Sequence, residues 1–310
     1  MTLQRTAANS PQSITIGNRT IVRTGRWLKI ARIFDEVWLH EPPIENPFAF
    51  VEAMQQQGLG ADLFTFAQAL PATSPRFPEL HAAADNLAVA VTGSFQAWWD
   101  ALPQESRKNV RKSQRRGVTT RPVAFTDDLV AGIKAIYDEA PIRQGRRFWH
   151  YGKDLDTVKK ENASYLDRSE FIGAYLGDDL IGFIKIVYAG TTGRIMQILS
   201  RNDQYDKHPT NALLAAAIEA CAKRGASHLI YGQYVYGNKR NSSVTEFKRR
   251  NGFFEVLLPR YYLPLNARGS VALAAGLNRG ISAAIPEPIT NFLLDSRAFI
   301  YEKISFRSQN

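Results

Sequence analysis

HPTNALLAAAIEACAKRGASHLIYGQYVYGNKRNSSVTEFKRRNGFFEV, residues 208–256, is the stretch on which the reading of the fold turns. The polar turn His208-Pro209-Thr210-Asn211 opens an alanine- and leucine-rich helix that stops at Lys223-Arg224-Gly225, with Gly225 the natural terminator. Apolar residues from Ser227 to Gly232 predict a strand. A second helix begins at Ser243 and carries Phe247 and Lys248 before Gly252-Phe253. A helix N-terminus fed by a strand offers unpaired N–H groups to an anion. The following helix adds a cation on a second element.

Working outward, Arg194–Ser200 reads as a strand, and Glu170–Leu176 with Leu180–Tyr188 reads as a hairpin turning at Gly177-Asp178-Asp179. Thr126-Asp127-Asp128 caps a helix bearing Leu129, Ile133, Ile136 and Tyr137, and a further helix spans Asp156 to Tyr165. From the strand at Val118 the order is β-α-α-β-β-β-α-β-α-β, a mixed α/β layer. Upstream, Thr15–Leu39 patterns as a hairpin with turns at Asn18 and Gly25, and Asn46-Pro47 caps a helix. Strands follow at Ala61–Ala67 and Asn86–Val91, separated by a proline-rich loop from Pro71 to Pro78. Ser94 starts a helical region that leads into QESRKNVRKSQRRG. There Arg107, Arg111, Arg115 and Lys108, Lys112, Arg116 recur every four residues, forming one cationic stripe that ends at Gly117. The stripe reads either as a solvated face or as a track for an RNA backbone. Four regions result: a tail over 1–12, a shortened N-terminal half over 13–116, a main domain over 117–266, and a helical extension over 267–310 with a last amphipathic helix beyond Pro286-Glu-Pro288.

The 310 residues carry 39 Lys+Arg against 29 Asp+Glu, a net charge of +10, which reads either as a surface for polyanions such as tRNA, nucleotide phosphates or an anionic membrane, or as a basic but functionally neutral surface. A lone cysteine, Cys221, excludes internal disulfides and cysteine zinc sites, and its apolar helical face makes it a buried thiol rather than a nucleophile. The five histidines include no i, i+3 or i+4 pair, so no metal is expected. The sequence shows neither a signal-peptide pattern nor an apolar run long enough to span a bilayer, and the expected location is the cytoplasm.

The element order resembles the GNAT acyltransferase fold. Ser106–Val118 resembles the basic linker helix of FemAB-type enzymes. Asn211-Ala-Leu-Leu with Ala222-Lys-Arg-Gly225 resembles the helix after their splayed central strand, and Phe247-Lys248 with Gly252-Phe253 and Arg260-Tyr-Tyr-Leu-Pro resembles their closing block. The resemblance covers roughly 95–265 and implies a GNAT fold with a central mixed sheet, preceded by a shortened GNAT-like half and followed by C-terminal helices. It also implies acyl or aminoacyl transfer to an amine by direct attack, with no covalent enzyme intermediate and no permanently bound cofactor. Acyl-CoA, aminoacyl-tRNA or a carrier-protein thioester would be the donor, and a small molecule or cell-envelope precursor the acceptor, with tRNA a candidate partner. Acyl-CoA members carry glycines in the turn before the central helix. Asp203–Asn211 here holds none, so backbone wrapping of a diphosphate is disfavoured and the donor stays open.

Lys248 is the leading candidate. Ser243 and Glu246 read as a Ser-x-x-Glu capping box, which would put Lys248 in the first two turns, where a cation opposes the helix dipole. By resemblance it faces the substrate channel. Tyr234 and Tyr236 lie where GNAT folds place acyl-group contacts. Lys207, His208, Thr210 and Asn211 are the candidate donor-binding turn, with Tyr236 beside them. Residues 142–153 gather Arg143, Arg146, Arg147, Phe148, Trp149, His150 and Tyr151. The arginines, Trp149 and Tyr151 suit an anionic acceptor, while His150 and Tyr151 read either as a proton relay or as structural residues. Core packing of Phe148 and Trp149 is the competing reading. The rival function is a non-catalytic RNA- or phosphate-binding module on the same fold.

Overall fold

The computed structural model describes residues 13–279 apart from 40, 41, 144, 237–239 and 241. The expected tail over 1–12 and the helix beyond Pro286 lie outside the described residues. In chain order the elements are β1 (Ser13–Ile16), β2 (Arg19–Thr24), β3 (Ile30–Ile33), α1 (Pro47–Gln56), β4 (Leu63–Ala67), β5 (His81–Val91), α2 (Phe95–Ala101), α3 (Gln104–Arg115), β6 (Val118–Val123) and α4 (Asp127–Asp138). There follow the short β7 (Ile142–Arg143) and β8 (Arg146–Arg147), then α5 (Leu155–Asn162), β9 (Ser169–Leu176), β10 (Asp179–Ala189), β11 (Thr192–Ser200), α6 (Pro209–Lys223), β12 (His228–Gln233), α7 (Ser243–Arg250), β13 (Phe254–Pro264) and α8 (Ala267–Ala274). The mixed α/β class is the one the sequence predicts.

The described residues divide into two compact units, 13–86 with 256–279, and 87–255. They divide elsewhere than at the expected 116/117 junction. The basic helix α3 belongs to the second unit because its buried Val110 joins the core formed with α6 and β6.

In the first unit the strand order is β1-β2-β3-β4-β13, with β3 and β4 parallel and the remaining pairs antiparallel. Asn46 caps α1 by accepting from the Phe48 and Ala49 amides, as the Asn-Pro signal predicts. Ile21, Met54, Phe64 and Tyr261 fill the core. Arg260 is buried between two carboxylates, donating from Nε to Asp85 at 2.7 and 2.9 Å and from Nη2 to Glu36 at 3.0 Å. That network ties β13 to β5 and to the segment after β3. The expected strand character of 37–39 is absent: that segment is a turn.

In the second unit the order is β5-β12-β11-β10-β9-β6. Only β11 and β12 pair in parallel. Alternation along β10 sends Ile184, Ile186 and Tyr188 into a core with α3 and α6, and Phe183 into a second core with α4 and α5. Each of these fully buried side chains contributes about 1.5–3 kcal/mol of transfer free energy, an upper bound set by the unfolded-chain reference. β10 pairs with β11 through Ile186↔Ile195 and Lys185↔Gln197, so Met196 is an extra, bulged residue.

Candidate active site at the divergence of two parallel strands

The parallel pairing of β11 with β12 covers only Thr192–Arg194 against His228–Ile230, although β11 continues to Ser200 and β12 to Gln233. The bulge at Met196 adds local twist, and beyond Arg194 the two strands part. α6 follows β11 and α7 follows β12, so the residues after the divergence are held by two helices.

At the end of β12, Gly232 has φ +61°, and a Cβ there would stand 2.8 Å from the Tyr236 hydroxyl. A residue without a side chain is needed on both counts. The turn brings the Tyr231 and Tyr236 rings over the Lys248 ammonium at 4.8 and 4.5 Å. Lys248 is 0 % exposed, and its Nζ donates to the Gln233 carbonyl. Burial pushes the ammonium down to about 8. It stays mainly protonated at neutral pH, an under-solvated cation held by one carbonyl and two ring faces. Burial also drives the Tyr231 phenol well above its ordinary value and raises that of Tyr236.

α7 starts differently from the sequence expectation. Ser242, not Ser243, is the N-cap, accepting from the Thr245 amide at 3.1 Å. Glu246 does not reach back to the cap. It binds Arg249 and Arg250, which hold its carboxyl down at about 2. Lys248 lies within the first two turns as expected, but because α7 ends at Arg250 it is also in the last turn, where the helix dipole favours a cation. Burial, not opposition to the helix dipole, sets Lys248 apart.

The far end of α7 is clamped. Asn251 donates to the Phe247 carbonyl at 2.7 Å and accepts from Asn211 of α6 at 2.8 Å, while Ser106 of α3 donates to the Arg250 carbonyl at 2.6 Å. Three helices thus fix the position of Lys248.

With this geometry, the chain superposes on known folds. No protein-family model matches the sequence, and no curated protein does. Among solved structures FemX matches at a TM-score of 0.63 and 9 % identity, covering 86 % of this chain and 90 % of that one. The C-terminal domain of a putative lysylphosphatidylglycerol synthetase from Agrobacterium fabrum matches at 0.54 and 16 %, covering 84 % and 85 %. L-PGS from Bacillus licheniformis matches at 0.52 and 13 %, covering 91 % and 86 %. The fold is FemAB-like.

Within this FemAB-like fold the expected residues fall in three places. Around α7, Lys248 and Tyr236 come together, and Tyr234 lies beside them, its carbonyl accepting from the Thr245 hydroxyl. At the start of α6, His208 adopts φ +53° before Pro209 and gives no side-chain cap. Burial and then the charges of Lys112 and Arg116 lower the pKa of its imidazole. Thr210 bonds Ser200 at 2.9 Å, Lys207 stands 3.5 Å from Asp206, and Asn211 is the α7 clamp. The turn thus sits in the positive field of the basic helix, but Thr210 and Asn211 have structural partners.

The third place is the α4–α5 connection. Arg143 serves as a brace rather than an open clamp. It donates to the carbonyls of Ser200 (2.9 Å) and Ile136 (2.7 Å) and pairs with Glu139 at 2.8 Å. Arg146 and Arg147 are exposed on β8. Phe148 packs into the α4/α5 core while Trp149 stands 79 % exposed with Lys153 over its ring, so the two aromatics divide between the core and the binding readings. Tyr151 is exposed, and His150 stacks on Tyr137 at 4.4 Å. Cys221 is fully buried with its thiol pushed up to about 12, which removes it as a nucleophile. Among the described residues no cluster of His, Cys, Asp and Glu is arranged to hold a metal, and no helix is long and apolar enough to cross a membrane.

Sequence reasoning missed Tyr231, the Gln233 carbonyl, Asn251 and a second buried lysine, Lys185. Gly232 directly after Tyr231, and Asn251-Gly252 after the second helix, were the available signals. Lys185 sits inside the apolar run of β10 and carries none beyond its own charge.

Proposed function

We propose that this chain is an N-acyltransferase that moves an acyl or aminoacyl group directly to an amine acceptor. The observation that carries the reading is Lys248, a charged lysine buried on two tyrosine rings where β11 and β12 part. A cation in a low-dielectric setting with one carbonyl partner stabilises negative charge arriving beside it more than a solvated lysine would. That charge is the tetrahedral oxyanion, or the phosphate of the donor. Tyr236 and Tyr234 flank it as acyl contacts. The divergence leaves β11 beyond Arg194 without β12 as a partner, which suits a donor lying between the strands. The turn Lys207–Asn211 and the cations of α3 support an anionic donor entering there.

FemX and the two lysylphosphatidylglycerol synthetase structures support an aminoacyl donor over a simple acyl group, and an acceptor from the cell envelope. The absence of glycine from Asp203–Asn211 supports the same preference, with aminoacyl-tRNA ahead of acyl-CoA or a carrier-protein thioester. Arg146, Arg147, Trp149 and Tyr151 are then the acceptor-facing surface, and the cytoplasm the site of action. The deciding assay is steady-state transfer with a panel of the three donor classes against amine acceptors. Activity with one class that falls on Lys248→Ala supports the reading. Full turnover in that variant removes Lys248 from the site. Salt-sensitive RNA binding with no transfer from any donor returns the non-catalytic module.

A further inference from the structure

Strand directions put the first residues of β9 at the end of the sheet opposite Lys248. β11 and β12 run in parallel, β12 ending at Gln233, the carbonyl partner of Lys248. β10 runs back and β9 runs with β11 again, so Ser169–Phe171 lie near where β11 begins. In the strand order β9 is three places from β12, about 14 Å at the usual spacing. At this end β6 leaves the sheet. Its last pair is Val123↔Phe171, after which Glu170 and Ser169 pair only with β10. Phe125 then stacks on Phe171 with ring centroids 5.4 Å apart. The departure opens a hollow of about 370 Å³ walled by Pro122, Phe125, Leu166 and Phe171, in which the only polar lining residues are Ser169 and Glu170.

Both polar residues lack partners that their burial calls for. The Ser169 hydroxyl oxygen is buried and has no hydrogen-bond partner. Glu170 is half-buried. Its carboxylate accepts from the Tyr188 hydroxyl at 3.0 Å and has no ion-pair partner among the described residues. The neighbouring cations are committed elsewhere. Arg224 lies over the Tyr188 ring at 4.3 Å. Lys185, 5.2 Å from the Phe171 centroid, gives its three N–H groups to Asn162 and Ser164 oxygens. Arg168 is held over the Tyr165 ring at 4.9 Å and 3.4 Å from Asp167. An under-solvated carboxylate without a counter-charge and a buried hydroxyl without a partner are each unfavourable. One ligand group relieves both: a cation carrying several N–H donors.

We propose that this hollow is a second ligand site, separate from the Lys248 centre, that takes a primary ammonium on a small apolar or aromatic body. The ammonium donates to the Glu170 oxygen that Tyr188 leaves open and to the Ser169 hydroxyl, while the body lies against Phe125, Phe171 and Leu166. The volume, about 370 Å³, suits a small molecule of one ring and a short chain. A neutral alcohol or amide satisfies Ser169 but leaves Glu170 unopposed, and a carboxylate meets like charge. The site does not depend on acyl transfer and would persist if that reading failed.

The test is calorimetric titration of the full chain at pH 7 with 2-phenylethylammonium, beside 2-phenylethanol and 3-phenylpropionate, which carry the same ring on a neutral or a negative head. Saturable binding of the ammonium with a Kd below about 1 mM is expected, both other probes being weaker by about tenfold or more. Glu170→Gln keeps an acceptor for Tyr188 but removes the charge, and should weaken the ammonium by about tenfold or more, with a melting temperature that shows the fold retained. Ala124→Phe, which fills the hollow from its exposed rim, should abolish the binding by exclusion. Lys248→Met should leave it as it was. Tighter binding of 3-phenylpropionate, an ammonium affinity that ignores Glu170→Gln or Ala124→Phe, or its loss in Lys248→Met overturns the assignment. So does the lack of saturable binding by any of the three probes.

Discussion

Two lysines of the second unit, Lys185 on β10 and Lys248 on α7, meet the same solvation problem in opposite ways. Lys185 is 1 % exposed and Lys248 0 %, and burial pushes each ammonium down to about 8. Lys185 donates to the carbonyls of Asn162 and Ser164 and, at 3.2 Å, to the Ser164 hydroxyl, so its three N–H bonds all have oxygen acceptors. It closes the C-terminal end of α5 and has nothing left to offer a ligand. Lys248 has one carbonyl and two ring faces. Ring faces hold a cation without consuming its hydrogen bonds, so an oxyanion could replace them at low cost. Equal burial thus marks a lock in one place and a proposed site in the other, and the partners distinguish them.

Substitution by methionine separates the two most sharply. Lys248→Met should cut transfer by about 10²–10³-fold. It should also raise stability to denaturant by about 1–3 kcal/mol, because a desolvated charge is replaced by an apolar chain. Lys185→Met should do the reverse, costing about 1–3 kcal/mol by stranding the Asn162 and Ser164 oxygens. Equal effects on stability would erase the distinction.

The pH dependence follows from the same burial. Each lysine titrates near 8 in the fold and at 10.5 when unfolded, so between these values the unfolded chain holds more protons. Stability should therefore rise with pH through that window, by up to about 3 kcal/mol per lysine, and each methionine variant should flatten its own share. Above pH 10 the raised phenols of Tyr188 and Tyr231 act oppositely, since the fold then holds more protons than the unfolded chain, and the rise should turn over. Urea titrations at pH 7, 9 and 10 would read this. A flat profile would mean that water reaches both ammonium groups.

Gly232→Ala combines a positive φ with the close Tyr236 hydroxyl, and should cost about 1–3 kcal/mol while displacing one ring from Lys248. An unchanged melting temperature together with unchanged turnover would show that the ring is not part of the site. The smallest effect concerns the start of α7. Ser242→Ala should cost about 1 kcal/mol and Ser243→Ala close to nothing, and equal costs would restore the capping box read from the sequence.

That last pair shows where local reading stops. Two adjacent serines precede the same helix, and a Glu three residues after the second completes a capping box on paper. Which serine caps depends on how the chain arrives from β12, and Glu246 is drawn instead to Arg249 and Arg250. Arg143 tells a similar story. Its setting among aromatics and arginines resembles a clamp, yet Ser200, 57 residues away, accepts from it and makes it a brace. The Phe148-Trp149 pair could not be divided into buried and exposed members without knowing which side of the loop faces α4.

Apart from the short β7–β8 hairpin, read as loop, the sequence alone determined the element order from Val118, the hairpin at Gly177, the caps at Asn46 and Thr126 and the buried thiol of Cys221. Each of these depends on period, on cap chemistry or on a glycine, all properties of neighbours along the chain. Lys248 was legible as a residue through its setting with Phe247 and Gly252. Its burial, its tyrosine partners and the Asn211–Asn251 clamp were decided by tertiary structure. Those features join residues 12 to 40 positions apart, and desolvation exists only once the strands and helices have packed.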